Sequence, residues 1–323
     1  MISFLYSAYG FRISGLCLLT LAWQASAGIG QEISAPADQV VVADSSDAKP
    51  QPFPKELQKL LDQATPLNPE KTVLLNRDGG KVLLKTNVAC EDCPLEMLVC
   101  LSQTKEHESV LALQGKAFAI HAALLALGLE PGSPATFSPT FKAPEGPKLD
   151  IFVNWVDSKG KLQRRDVHDW IRFTVFRYYS HPLPSAPAGV EFPFLELRYD
   201  KFNNELIWYG PMSMEQKKQL LALCSDEQYQ AGIMKFYEQS QSRRMTADFV
   251  FTGSFHHTDP DSGQKYYAAE SGHVICVANF AAALIDVREA SSADSGAQSY
   301  EAWKGKVPPH GTPVVVEIIP ATP

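Results

Sequence analysis

Thr72-Val73-Leu74-Leu75-Asn76-Arg77-Asp78-Gly79-Gly80-Lys81-Val82-Leu83-Leu84 is the stretch on which the fold class turns. Two aliphatic runs, Thr72–Leu75 and Lys81–Leu84, flank Asp78-Gly79-Gly80. Glycine reaches positive φ at no steric cost, so Asp-Gly between apolar runs is a strong hairpin signal. The stretch predicts an antiparallel hairpin and opens the folded region near Leu67.

Downstream, Leu95–Leu101 and Glu108–Leu113 predict a second hairpin across Ser102–Lys105. Ala117–Leu127 predicts a helix of small and apolar residues, with Gly128 at the left-handed C-cap position and Pro131 blocking continuation. Leu149–Val156 predicts a strand with a turn at Asp157–Gly160, and Val167–Phe176 a further ordered element. From about 181 the pattern changes. Pro182, Pro184 and Pro187 open a segment in which Ser213 with Gln216, and Ser225 with Gln228, read as capping-box starts of two helices. Leu220, Leu221 and Cys224 mark one buried stripe, and Tyr229, Ile233, Phe236 and Tyr237 the other. Strands return at Asp248–Phe251, Lys265–Ala268 and Val274–Val277, followed by a polar loop at Ser291–Gln298. Val314–Ile319 predicts a buried final strand. Mixed or antiparallel hairpins with interspersed helices predict an α+β fold, not a doubly wound parallel sheet. The expected plan is one domain over 67–323 with a helical insertion at about 181–245.

Upstream, residues 28–66 are rich in Ala, Asp, Ser, Pro and Gln and predict a flexible linker. Leu57, Leu60 and Leu61 allow a short helix within Pro54–Gln63. Residues 1–27 read as a secretory signal peptide: Arg12, the apolar run Ile13–Trp23, then Ala25-Ser26-Ala27. The expectation is export to the periplasm or beyond, with no transmembrane segment in the mature chain. The 323 residues are 45% hydrophobic and 20% charged, which excludes a wholly disordered, collagenous or multi-span protein. With 29 basic against 36 acidic residues, a net charge of −7 and no basic run, nucleic acid is not an expected partner.

Four patterns carry candidate chemistry. Cys90-Glu91-Asp92-Cys93 has the spacing of a redox pair, in which one thiolate attacks and the other resolves. Two acids between the sulfurs oppose thiolate formation, so a structural disulfide or local turn is the favoured reading. Adding Cys100 and His107 gives four ligands that could hold a divalent metal such as zinc, at a spacing that fits no zinc ribbon or finger. Lys105-Glu106-His107-Glu108-Ser109 gathers a cation, an imidazole and two carboxylates. Its bland reading is a self-paired polar corner. Its functional reading is a ligand-binding site of Glu106, His107 and Glu108, approached by His121. Asp259 and Glu270 stand like the first and last ligands of a calcium loop, but Gly263 and Gln264 break that pattern. Gly253-Ser254-Phe255-His256-His257 lacks the G-x-S-x-G of a nucleophile elbow.

Several strings together carry a resemblance. They are Pro94–Cys100, Thr104-Lys105-Glu106-His107-Glu108-Ser109 and His121–Gly132, then Val153-Asn154-Trp155 and Asp169-Trp170. Phe251-Thr252-Gly253-Ser254-Phe255, Tyr267-Ala268-Ala269-Glu270-Ser271-Gly272 and Pro308–Val314 complete the series. The chain resembles the YdjY domain family of exported bacterial proteins, most closely its planctomycete-type members, over roughly 67–180 and 246–323. The resemblance implies export and a common fold but supplies no reaction. It directs attention to Cys100, Glu106, His107, Glu108 and His121. Cys100 belongs to its pattern, whereas Cys90 and Cys93 do not.

The expected function is a cell-envelope or extracellular binding module, with no cofactor assigned. One rival is a metal- or thiol-dependent enzyme or redox protein using Cys100 and His107. The other is a structural partner docking through the helices of 213–241.

Overall fold

The computed structural model describes residues 53–260, 262–294 and 297–322. The signal-peptide reading of 1–27, and the linker reading as far as residue 52, lie outside the described residues. Among those described, no helix is long and apolar enough to cross a membrane.

Eight strands close on themselves. They are β1 (Lys81–Val88), β2 (Met97–Leu101), β3 (Ser109–Leu113), β4 (Lys148–Val156), β5 (Phe249–Phe251), β6 (Ile275–Cys276), β7 (Ile285–Val287) and β8 (Pro313–Pro320). Around the ring the order is β1-β8-β4-β5-β7-β6-β2-β3, and β3 returns to β1 through Thr86↔Leu113 and Val88↔Leu111. The β2–β3 and β6–β7 pairings are parallel and the other six antiparallel. The α+β class therefore holds, in the form of a closed barrel that the sequence reading did not specify. Closure leaves no barrel strand with an unpaired edge.

The predicted final strand lies within β8, between β1 and β4. Alternation decides which way its side chains face. Val314, Val316 and Ile318 join Val82, Leu84, Ile151 and Val153 in the main core. Val315 instead joins Leu83, Leu74, Leu57 and Leu61 in a second cluster. Glu317 is buried on β8 and satisfied by Asn154 Nδ2 at 3.1 Å and Arg164 Nη2 at 3.1 Å.

The first hairpin forms as expected, Val73–Asn76 pairing with β1. The second does not. β2 and β3 run parallel, because Ser102–Glu108 is a return crossover and not a tight turn. Gln103 takes φ 65°, the Thr104 hydroxyl donates to Leu101 O, and Glu106–Glu108 form a 3-10 turn that carries the chain back. Ordered packing also begins upstream of the expected boundary at residue 67. Helix α1 (Lys55–Leu61) buries Leu57 and Leu61 beside the barrel, and Thr65–Pro66 pairs with Leu74 and Leu75.

Helix α2 (Ala117–Ala126) adds Ala117, Ile120, Ala123 and Leu124 to the main core. Gly128 at φ 84° ends it, with Gly128 N–H donating to Leu125 O and Leu129 N–H to Leu124 O, the two bonds of a Schellman motif.

Residues 178–239 carry a core of their own. Tyr178–Pro182 and Leu197–Asp200 flank Glu205–Tyr209 in a three-stranded antiparallel sheet. Helices α3 (Met214–Leu223) and α4 (Glu227–Gln239) cover it, burying Trp208, Leu220, Tyr229, Ile233 and Phe236. The expected helices are present, and the sheet beneath them is the feature that short, proline- and charge-bearing strands concealed.

Candidate functional site

The segment Tyr267–His273 ties together two groups of polar side chains that lie far apart in sequence. The first surrounds His121 on α2. Its Nδ1 lies 2.8 Å from the Tyr267 hydroxyl, which itself donates to Gly253 O at 2.8 Å. Tyrosine has one proton to give, so Nδ1 of His121 carries the ring proton in this network. The rings of Phe251, Tyr267 and Phe118 stand 5.2, 5.6 and 6.2 Å from the imidazole. Burial lowers the His121 pKa, and His256 lowers it further, against the opposing pull of the Gly253 carbonyl. His121 is thus held neutral, as one wall of an aromatic box. A side chain at Gly253 is impossible without rearrangement: φ is 84°, and a Cβ there would stand 2.3 Å from Pro131 Cβ.

Three residues on, Glu270 accepts the backbone N–H of Ala117 at 3.2 Å and of Phe118 at 3.0 Å. These are orphan amides at the α2 N-terminus, where Lys116 offers no side-chain cap. Glu270 is therefore a remote helix cap and not a calcium ligand. Asp259 instead accepts from Ser262 within its own turn.

The second group is the Lys105–Ser109 corner. Lys105 Nζ lies 2.7 Å from Glu96 and 2.7 Å from Glu108. Burial raises the Glu96 pKa, whereas Lys105 and Glu96 together outweigh burial and lower that of Glu108. Lys105 is itself raised, its two carboxylates overcoming burial. His273 sits against this cation. Burial first, and then Lys105, push its pKa down to about 4, and its Nδ1 lies 2.8 Å from the Ser271 hydroxyl. Part of the corner is thus self-paired.

The predicted site residues separate as follows. Glu106, His107 and Glu108 share one 3-10 turn, where the exposed His107 ring stands 3.7 Å from Glu108. His121 finds its ring and hydrogen-bond partners at 118, 251 and 267, none of them on that turn. Cys100 is buried with Met97, Cys276 and Ala283, and burial raises its thiol pKa. An exposed imidazole and a buried thiol differ in surroundings, and no group of three or more His, Cys, Asp or Glu is gathered to hold a metal among the described residues. Cys90 and Cys93 are bonded to each other as a disulfide. Cys100, Cys224 and Cys276 are free thiols.

Glu106 turns away from the Lys105 pair. Its Oε1 accepts the Gln103 N–H at 3.1 Å, and it lines a cleft of about 430 Å³ with Asn87, Ser102, His310 and Phe53. This cleft joins the Lys105–Ser109 string to Pro308–Val314. Sequence reasoning missed His310, Tyr267 and His273 as site residues, and weighed Glu270 only as a calcium-loop ligand. All but His273 lie in strings that carry the resemblance; what was missing was any spacing signal linking residues so far apart.

The family model of the YdjY domain matches residues 73–174 and 221–319, more than half of the chain. No curated protein and no solved structure matches the chain. The two matched segments hold the barrel strands as far as Ile319, the 3-10 turn with Glu106 and the box around His121, and the chain belongs to the YdjY domain family.

Proposed function

We propose that the chain is an exported binding module of the cell envelope or extracellular space, and that its ligand occupies the cleft of Asn87, Ser102, Glu106 and His310. The observation that carries this reading is the meeting of Glu106 and His310 in one cleft, brought from opposite ends of the folded chain. Its polar members are an amide, a hydroxyl, a carboxylate and an imidazole, with the Phe53 ring beside them. A few polar groups beside an apolar wall fix a small ligand's orientation. A carboxylate favours a ligand that offers hydrogen-bond donors, such as an amine or a polyol.

A thermal-shift screen of small amines and polyols tests this. A ligand at about 100 times its Kd adds roughly 2.7 kcal/mol, which for a domain of this size is a rise of about 5–10 °C. The expected hit raises the wild-type midpoint and leaves Glu106→Gln and His310→Ala unmoved. A hit that shifts the variants equally, or a screen without hits, removes the cleft as the site. The protein recovered from the envelope or medium is expected to begin at Gly28.

A further inference from the structure

A second cleft, of about 400 Å³, opens where the 178–239 subassembly meets the strand Ile171–Phe173 and the loop leading into Tyr300–Ala302. Its lining includes Arg177 and Arg243, and no acidic residue among those described. Neither arginine forms an ion pair among the described residues, although the chain as a whole is acidic. Two carboxylates of the neighbouring segments are engaged elsewhere. Glu301 faces Arg172 at 2.6 Å, and Glu289 accepts the Asp248 N–H at 3.1 Å. Both guanidiniums line this one cleft, and burial raises the pKa of the Tyr179 phenol, with Arg177 and Arg243 pulling it back and Glu301 pushing it further up. Arg243 is braced over the Phe173 ring at 5.1 Å.

The rest of the lining supplies rings and hydrogen-bonding groups. Tyr178 is 64% exposed and packs on Tyr209 at 4.9 Å. Ser180, Ser299 and Gln239 offer hydroxyls and an amide, and on Thr174 a buried hydroxyl has no partner among the described residues. Guanidiniums bind oxyanions in a planar fork, and an exposed tyrosine face takes the apolar side of a ring. Small polar side chains match a ring bearing hydroxyls.

We propose that this cleft binds an acidic saccharide, its carboxylate or sulfate held by Arg177 and Arg243 and its ring laid against Tyr178. Arg177, Tyr178, Tyr179 and Ser180 fall in the 175–220 gap of the family match, whereas Arg243, Ser299 and Tyr300 fall inside it. The site is therefore completed by a segment outside the family match, and it is separate from the Glu106 cleft.

Calorimetric titration of the full chain tests it, with trigalacturonate, its methyl ester, a sulfated trisaccharide and inorganic phosphate as probes. Trigalacturonate or the sulfated sugar is expected to bind, which of them does so identifying the anion. Affinity is expected to fall at least tenfold for the ester and for Arg177→Gln/Arg243→Gln. Tyr178→Ala, at a position 64% exposed, is expected to weaken binding several-fold, while Glu106→Gln leaves it unchanged. The proposal is overturned if neither sugar binds, if ester and acid bind alike, if the arginine and tyrosine variants all retain wild-type affinity, or if phosphate binds as tightly as the sugars.

Discussion

At the scale of single residues, two buried groups set opposing pH responses. Burial pushes the Asp286 carboxyl from 3.8 up to about 7, against hydrogen bonds from Val287 N, Phe280 N and Asn279. The native state holds that proton where the unfolded state has lost it, so Asp286 makes stability fall as pH rises from about 4 to 7. His273 is depressed from 6.5 to about 4, so its protonation is resisted by the native state and stability rises with pH over that window. The two slopes oppose each other between about pH 4 and 6.5. Asp286→Asn is expected to uncover the rising limb, seen as a urea midpoint that climbs more steeply from pH 4.5 to 6.5 than in the wild type. Identical slopes would mean that Asp286 titrates normally. Neither group was legible beforehand. Asp286 is one carboxylate in an ordinary apolar strand, and nothing in Ile285-Asp286-Val287 announces its burial.

At the scale of elements, the helix ends show how far local pattern reaches. Ser213 and Gln216 make both bonds of a capping box, as their spacing predicts. Ser225 and Gln228 share that spacing, yet Asp226 is the N-cap of α4, its carboxylate accepting Tyr229 N–H at 2.8 Å. A carboxylate one position along satisfies the same amides and adds a favourable charge–dipole term. Asp226→Ala is therefore expected to cost about 1 kcal/mol, and Ser225→Ala close to nothing, by urea unfolding. At α2 no nearby residue caps, and Glu270 does so from the far side of the sequence. Glu270→Ala is expected to cost about 1–2 kcal/mol, since two helix amides lose a charged acceptor at once. A loss below about 0.3 kcal/mol would show that water replaces it fully. Strand content was readable from hydrophobic runs. The direction of β3 was not, because a return crossover and a hairpin loop can use the same seven residues.

At the scale of the whole molecule, closure makes the barrel and the 178–239 subassembly unequal partners. β8 is paired with β1 over Pro313–Ile318 and with β4 over Val315–Pro320, and Val314, Val316 and Ile318 fill the main core. The subassembly relies on a smaller cluster centred on Trp208 and Phe236. Amide exchange is therefore expected to be slowest in β8, β1 and β4, opening only with global unfolding, and faster in Glu205–Tyr209. Equal protection in both would make the molecule a single cooperative unit. Sequence reading reached the α+β class and most of the strands. Barrel closure escaped it because closure rests on pairings between residues remote in sequence, of which Thr86 with Leu113 is among the shortest in span.

The subassembly leaves and rejoins the barrel at neighbouring points. Phe173 N–H donates to Arg243 O at 2.9 Å, and Met245 N–H donates to Ile171 O at 3.0 Å. The two ends thus form a socket whose geometry is fixed by the barrel, whatever chain is looped between them. An excursion so mounted can be lengthened, trimmed or exchanged by recombination without rethreading a single barrel strand. New specificity can then be tried out at the rim while the scaffold keeps its register.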